Sequence, residues 1–195
     1  MREDLAQLRS ELDPRHDYES LDNMVLVGHS MGGLVSRMQT IDSGERFWRT
    51  LSDEPFEKLR GEPQDVQKLK QAAFFKANSD ISRVVTIATP HRGSNYANDT
   101  TRWLARRFIK LPTMMVATAQ DLVNQNPGIF QNADLLINST SIDSLSPESP
   151  VFQAMLRSPK SSKVKYHNIV GLVPTRGWFS DGEATGDGVV DFKSA

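Results

Sequence analysis

The sequence predicts an α/β protein in which helices flank a parallel sheet, and three stretches carry that reading. Met24-Val25-Leu26-Val27 is an apolar run that gives way at Gly28 to a helix-like pattern. Arg83 to Thr89 is a β-branched run stopped by Pro90, and its lack of alternation is that of a strand buried on both faces of a parallel sheet. Lys165 to Val170 reads as a third strand.

The other elements follow in order. Arg2 to Leu12 carries Leu5, Leu8 and Leu12 at spacings of three and four, a short amphipathic helix ended by Asp13-Pro14. The helix after the first strand, Gly33 to Thr40, has Leu34, Val35 and Met38 as its apolar positions. From Glu45 to Asp80 the chain is charged and reads as irregular helices with turns, Gln64 to Ala77 being the firmly helical part. A cap-like insertion at about 95–162 holds helical patterns at Thr101 to Leu111, Thr113 to Asn124 and Val151 to Arg157. A Gly-rich acidic loop, Ser180 to Gly188, precedes the short end Val189 to Ala195, and no internal repeat is present.

The 195 residues can bury one sizeable core, so 1–195 is expected to be one domain. Lys and Arg number 23 against 24 Asp and Glu, a net charge of −1, which gives no general attraction for nucleic acid or an anionic membrane. Without Cys there is no disulfide, thiolate metal site or Cys nucleophile. No apolar run approaches the ~18 residues of a membrane span, and the start lacks the apolar region of a signal peptide. The chain as written is expected to be soluble, and cytoplasmic by default.

Gly28-His29-Ser30-Met31-Gly32 has the G-x-S-x-G spacing of a nucleophile elbow. In such a turn a strand passes sharply into a helix, the Ser side chain is pushed up at the sheet end, and flanking glycines let the backbone crowd. Ser30 is therefore the expected nucleophile. The helix N-terminus behind it aims the Met31 N–H at an oxyanion formed during acyl transfer.

Three blocks together resemble a bacterial α/β-hydrolase of the lipase and esterase type: Val27-Gly28-His29-Ser30-Met31-Gly32-Gly33, Ala88-Thr89-Pro90-His91-Arg92-Gly93-Ser94 and Gly186-Asp187-Gly188-Val189-Val190. The resemblance spans nearly the whole chain and implies a partial α/β-hydrolase fold with a helical cap. It implies that Asp187 is the catalytic acid, placed late in the chain as the order Ser, acid, His requires. Its role would be to fix the imidazole tautomer and to stabilise the imidazolium.

The chain departs from the family after Asp187, because Gly188 to Ala195 contain no His. The strands and oxyanion loop that the family places ahead of the elbow also have no counterpart before Met24, so the pattern reads as a fragment cut at both ends. His91, just past the second strand, is the best internal substitute base; its simpler role is a loop residue that bonds the cap or orients substrate. His29 is expected to turn from Ser30 and pack, hydrogen-bonded, against a neighbouring strand. His167 lies roughly 15 Å too low on the third strand, and His16 fails likewise.

Weaker signals point elsewhere. Asp181, Glu183, Thr185 and Asp187 alternate as calcium ligands do, but Phe192 stands at the twelfth position, so no metal or cofactor is expected. Trp103, Leu104, Phe108 and Leu111 form an apolar stripe suited to a packed cap helix or a lipid interface. The reading is a serine hydrolase of acyl esters or lipids. Its rivals are an acyltransferase and a catalytically silent binding module, and an open sheet edge offers a route to a homodimer.

Overall fold

The computed structural model describes residues 1–92, 113–137 and 148–171. These fall into two compact units, one made of 1–42, 76–92 and 159–171, the other of 43–75, 113–137 and 148–158. The second unit thus takes in 43–75 as well as parts of the insertion expected at about 95–162. Asp187, the acidic loop around it and the stripe at Trp103, Leu104, Phe108 and Leu111 lie outside the described residues.

In the first unit, β1 (Met24–His29), β2 (Ile81–Ile87) and β3 (Lys165–Ile169) form a parallel sheet in the order β1-β2-β3. Helix α1 (Arg2–Leu12) precedes the sheet, and α2 (Met31–Met38) packs against β1 and β2. Leu26, Val84 and Tyr166 stand abreast in register; with Ile81, Val164, Met24 and Leu5 of α1 they make the core. Each buried Ile or Val there contributes about 1.5–3 kcal/mol by leaving water.

The opposite sheet face is more open than the unbroken apolar run of β2 predicts. Its rows are Val25-Arg83-Lys165, Val27-Val85-His167 and His29-Ile87-Ile169. Val25, Val27 and Ile169 are 52%, 65% and 53% exposed, while Val84 and Thr86 of β2 are buried on the α2 side. The β2 run is therefore covered fully on one face only.

α1 also differs from its expected stripe, because Leu8 and Leu12 stay exposed and Arg9 is the buried residue. Its guanidinium bonds the Asp22 carboxylate and the His16 ring and lies 3.5 Å from Asp13. Asp13 in turn accepts the N–H groups of Asp17 (2.6 Å) and Tyr18 (3.1 Å), closing the turn that leads to β1. An ion pair fixed at both ends has outcompeted apolar burial here.

The chain between α2 and β3 is tied where it leaves and re-enters the sheet unit. Ile41 and Lys160 form an antiparallel bridge, flanked by Asp42 N–H to the Pro159 carbonyl and Ser161 N–H to the Thr40 carbonyl. The Asp42 carboxylate accepts the Ala77 N–H at 2.8 Å and pairs with Lys76 at 3.3 Å, pinning the approach to β2.

The second unit is built from 3-10 turns at Trp48–Thr50 and Phe56–Lys58 and from helices α3 (Pro63–Ala73), α4 (Thr113–Gln125), α5 (Asp134–Ile137) and α6 (Pro150–Arg157). Pro63 opens α3, where the missing N–H costs nothing. The helix expected to reach Ala77 ends at Ala73, because Phe74 turns extended (φ −121°, ψ 107°) to reach Trp48, and Phe75 exchanges hydrogen bonds with Ser43. Trp48 is 1% exposed, edge-on to Phe56 (5.0 Å) and Phe130 (6.0 Å), and its indole N–H donates to the Glu54 carbonyl at 2.6 Å. Buried Asn126, just past α4, joins that helix to the loop ahead of α3 by accepting the Arg60 N–H (2.7 Å) and donating to the Arg60 carbonyl (2.6 Å). No helix among the described residues is long and apolar enough to cross a membrane.

Trp48→Ala removes the centre of this aromatic cluster and is expected to cost about 3–5 kcal/mol, read as a lowered urea midpoint at unchanged slope.

Candidate active site

Ser30 sits between the last residue of β1 and the first of α2, with φ 52° and ψ −125°. For a residue with a Cβ this backbone is strained, at a cost of order 1–3 kcal/mol. The surrounding bonds hold it there. The Ser30 N–H donates to the Ile87 carbonyl of β2 at 2.9 Å, and the Ser30 carbonyl accepts the Gly33 N–H at 3.1 Å. The half-buried Ser30 hydroxyl neither caps α2 nor bonds any other described residue.

Steric crowding explains the glycines, with one change from the expected pair. A Cβ on Gly28 would lie 2.5 Å from the Gly32 carbonyl carbon and the Gly33 Cα, so the first turn of α2 rests directly on the end of β1. A Cβ on Gly33 would overlap the Thr89 side chain, whereas one on Gly32 meets nothing within 4 Å. Close approach thus demands Gly28 and Gly33, not the two glycines that flank the motif symmetrically. Thr89, fully buried, is the element that the motif spacing did not reveal. It follows Ala88, a second residue with positive φ (48°), whose N–H donates to the Ile169 carbonyl at 2.9 Å. Strain is thereby concentrated at the carboxyl ends of β1 and β2.

Met31 opens α2, and its N–H finds no acceptor among the described residues. A helix-start N–H next to Ser30 has the placement an oxyanion donor needs.

His91 is in the loop after β2, as expected, but its imidazole is engaged elsewhere: Nε2 lies 2.9 Å from the Thr86 hydroxyl. That hydroxyl also faces the His167 carbonyl (3.2 Å) and Asn168 Oδ1 (3.0 Å), two acceptors competing for its one proton. Since that proton goes to one of the two oxygens, the contact with the ring is made by His91 donating through Nε2–H. Burial, then the charges of Arg37 and Lys160, lower the His91 pKa to about 4, so the ring is neutral at pH 7.

The other histidines stand apart. His29 is exposed on the open sheet face, not packed as the sequence led us to expect, because the row it shares with Ile87 and Ile169 is uncovered. His167 pairs with Arg83 on the same face, and His16 turns its ring to Arg9 and Asp22. None of the four histidines hydrogen-bonds Ser30. No family model, curated protein or solved structure matches the chain.

Gly28→Ala should lower stability by about 1–3 kcal/mol through backbone overlap, whereas Gly32→Ala should be neutral or stabilising by up to about 1 kcal/mol; paired urea titrations distinguish the two. A second expectation concerns pH. The unfolded chain takes up a proton on His91 near pH 6.5 and the folded chain only near 4, so this residue's contribution is full above about 6.5 and is lost as pH falls towards 4. His91→Gln should therefore flatten the dependence of unfolding free energy on pH between 4 and 6.5, measured by urea unfolding across that range.

Proposed function

We propose that the chain carries the nucleophile elbow of a serine hydrolase of the α/β type that acts on carboxylic esters. The observation that carries this reading is the backbone of Ser30, a strained non-glycine residue held between a parallel strand and a helix, with its hydroxyl bonded to no other described residue. Strain at such a position persists only where neighbouring structure imposes it, and here Gly28, Gly33 and Thr89 do so. Ser30 Oγ adds to the ester carbonyl, and the oxyanion is held by the Met31 N–H. Collapse expels the alcohol, which takes up the proton lost by Ser30, and water then releases the acid from the acyl-enzyme. Asp187 is the proposed acid by resemblance alone. An apolar acyl chain or lipid ester is the substrate class that goes with a helical cap.

One observation favours a second reading, a module that binds acyl esters without turning them over. His91, the best internal base, is tied to Thr86, and a pKa of about 4 makes it a weak acceptor for the Ser proton. Removing a triad His lowers kcat by about six orders of magnitude, so an elbow without a base is nearly silent.

A fluorophosphonate probe separates the readings, with the adduct located by mass spectrometry. The hydrolase elbow predicts modification at Ser30 that is abolished in Ser30→Ala. Fast labelling that is lost in folded His91→Gln assigns His91 as the base, whereas labelling indifferent to that change excludes it. A folded chain that leaves Ser30 unlabelled under prolonged exposure contradicts the hydrolase reading, and retention of an acyl ester by that chain then supports the module.

A further inference from the structure

A cleft of about 610 Å³ is formed wholly by residues of the second unit, and none of them takes part in the ester chemistry proposed above. One wall is the turn that runs from Glu45 into Trp48–Thr50, and the other is α6. Pro150, Gln153 and Arg157 fall at i, i+3 and i+7, so α6 gives the cleft one face, while its Phe152 and Met155 are buried. On the turn, Arg46 and Arg49 are three residues apart and share a side, because the Arg49 N–H donates to the Glu45 carbonyl at 2.8 Å. Buried Phe47 and Trp48 anchor that turn from within. The volume is that of a pocket for a small organic molecule.

The charges in the cleft do not balance. Arg46, Arg49 and Arg157 line it with Glu45 as the acid, a formal excess of two positive charges. Glu45 is already spent on Arg49, whose Nε and Nη2 lie 3.2 and 3.1 Å from one carboxylate oxygen and whose Nη1 donates to the Asp53 carbonyl. The guanidinium groups of Arg46 and Arg157, one from each wall, have no ion pair or hydrogen bond with any described residue. The polar groups between the walls have the opposite character. The Thr50 hydroxyl gives its proton to the Phe47 carbonyl at 2.7 Å, and Asn132 Nδ2 donates to the Thr50 carbonyl at 2.8 Å. Thr50 Oγ1 and Asn132 Oδ1 are left as acceptors. Among the described residues no aromatic side chain lines the cleft.

We propose that this cleft binds a phosphomonoester of a sugar or similar polyol, its phosphate taken by Arg46 and Arg157 and its hydroxyls donated to Thr50 and Asn132. Charge chooses the anion. A phosphomonoester carries close to two negative charges at neutral pH and balances the excess, whereas a carboxylate balances half of it. Two planar guanidinium forks from separate walls suit a group with three terminal oxygens. Acceptors choose the remainder of the molecule, since hydroxyl protons are what Thr50 and Asn132 can receive. A nucleoside base would find no ring to stack on. The site is independent of the Ser30 chemistry and stands whether or not the elbow is active.

Nitrogen-15 NMR titration of the full chain with glucose 6-phosphate, inorganic phosphate and glucose, at pH 7.5 and constant ionic strength, tests the assignment. Glucose 6-phosphate is expected to shift amides of 45–50 and 150–157 saturably, with affinity about ten-fold weaker in Arg46→Gln and in Arg157→Gln, the loss of one charge-assisted contact. Both arginines are exposed, so these variants should keep the parent circular dichroism. Lys163→Gln, an exposed change in the first unit, should leave binding as it is. Inorganic phosphate is expected to bind about ten-fold more weakly than the ester, and glucose not to saturate. Absence of saturable binding of glucose 6-phosphate overturns the site, as does binding unchanged in both arginine variants or weakened equally in Lys163→Gln. Inorganic phosphate binding as tightly as the ester overturns the polyol part, and glucose doing so overturns the phosphate part.

Discussion

The first unit depends on one close approach, where the start of α2 rests on the end of β1 with only hydrogen at Gly28 between the two backbones. That contact forces the chain to reverse within a single residue, and Ser30 takes the strain. It also brings Gly33 against Thr89, so the loop after β2 is wedged beneath the same helix. The position of α2 over the sheet and the strained backbone of Ser30 both follow from it. A bulkier residue at Gly28 would disturb them together.

The electrostatics of this unit run in two directions. Around Arg9 the charges are matched: Asp22 and Asp13 face the guanidinium, and backbone N–H groups hold Asp13. Around Arg37 no carboxylate among the described residues comes within ion-pair distance. Both arginines are equally withdrawn from solvent, yet among the described residues only Arg9 has an acid to meet it. Burial of the first charge is explained by its partners, whereas no acid among the described residues accounts for burial of the second.

The sequence disclosed the local features and missed the long-range ones. The run Met24 to Val27, the break at Gly28 and the helix after Ser30 are written in adjacent residues, and the structure places β1 and α2 there. The strands at Ile81–Ile87 and Lys165–Ile169 were equally legible from β-branched or apolar runs. The burial of Arg37 could not be read from α2, where periodicity marked Leu34, Val35 and Met38 and the structure leaves Val35 44% exposed. Arg9 misled in the same way, because the leucine spacing in α1 says nothing of acids at Asp13 and Asp22 that would claim the helix. The cluster of Trp48, Phe56, Phe74 and Phe130 joins residues far apart in the chain, and no local pattern encodes it. Thr89 belongs to the same class. Its role exists only once Gly33 packs against it.

The two units are also interleaved along the chain, with consequences for how the protein is made. Trp48 meets Phe130, and the Leu51 carbonyl accepts the Gln131 N–H, so the core of the second unit joins segments on either side of β2. The sheet in turn waits for β3, which arrives after both. Neither unit is a contiguous stretch that can finish folding as it leaves the ribosome. Each closes long loops before its contacts form, which slows folding. Until Lys165–Ile169 has emerged, β2 is an unpaired edge of the sheet, an opening for self-association that lasts as long as synthesis of the intervening chain.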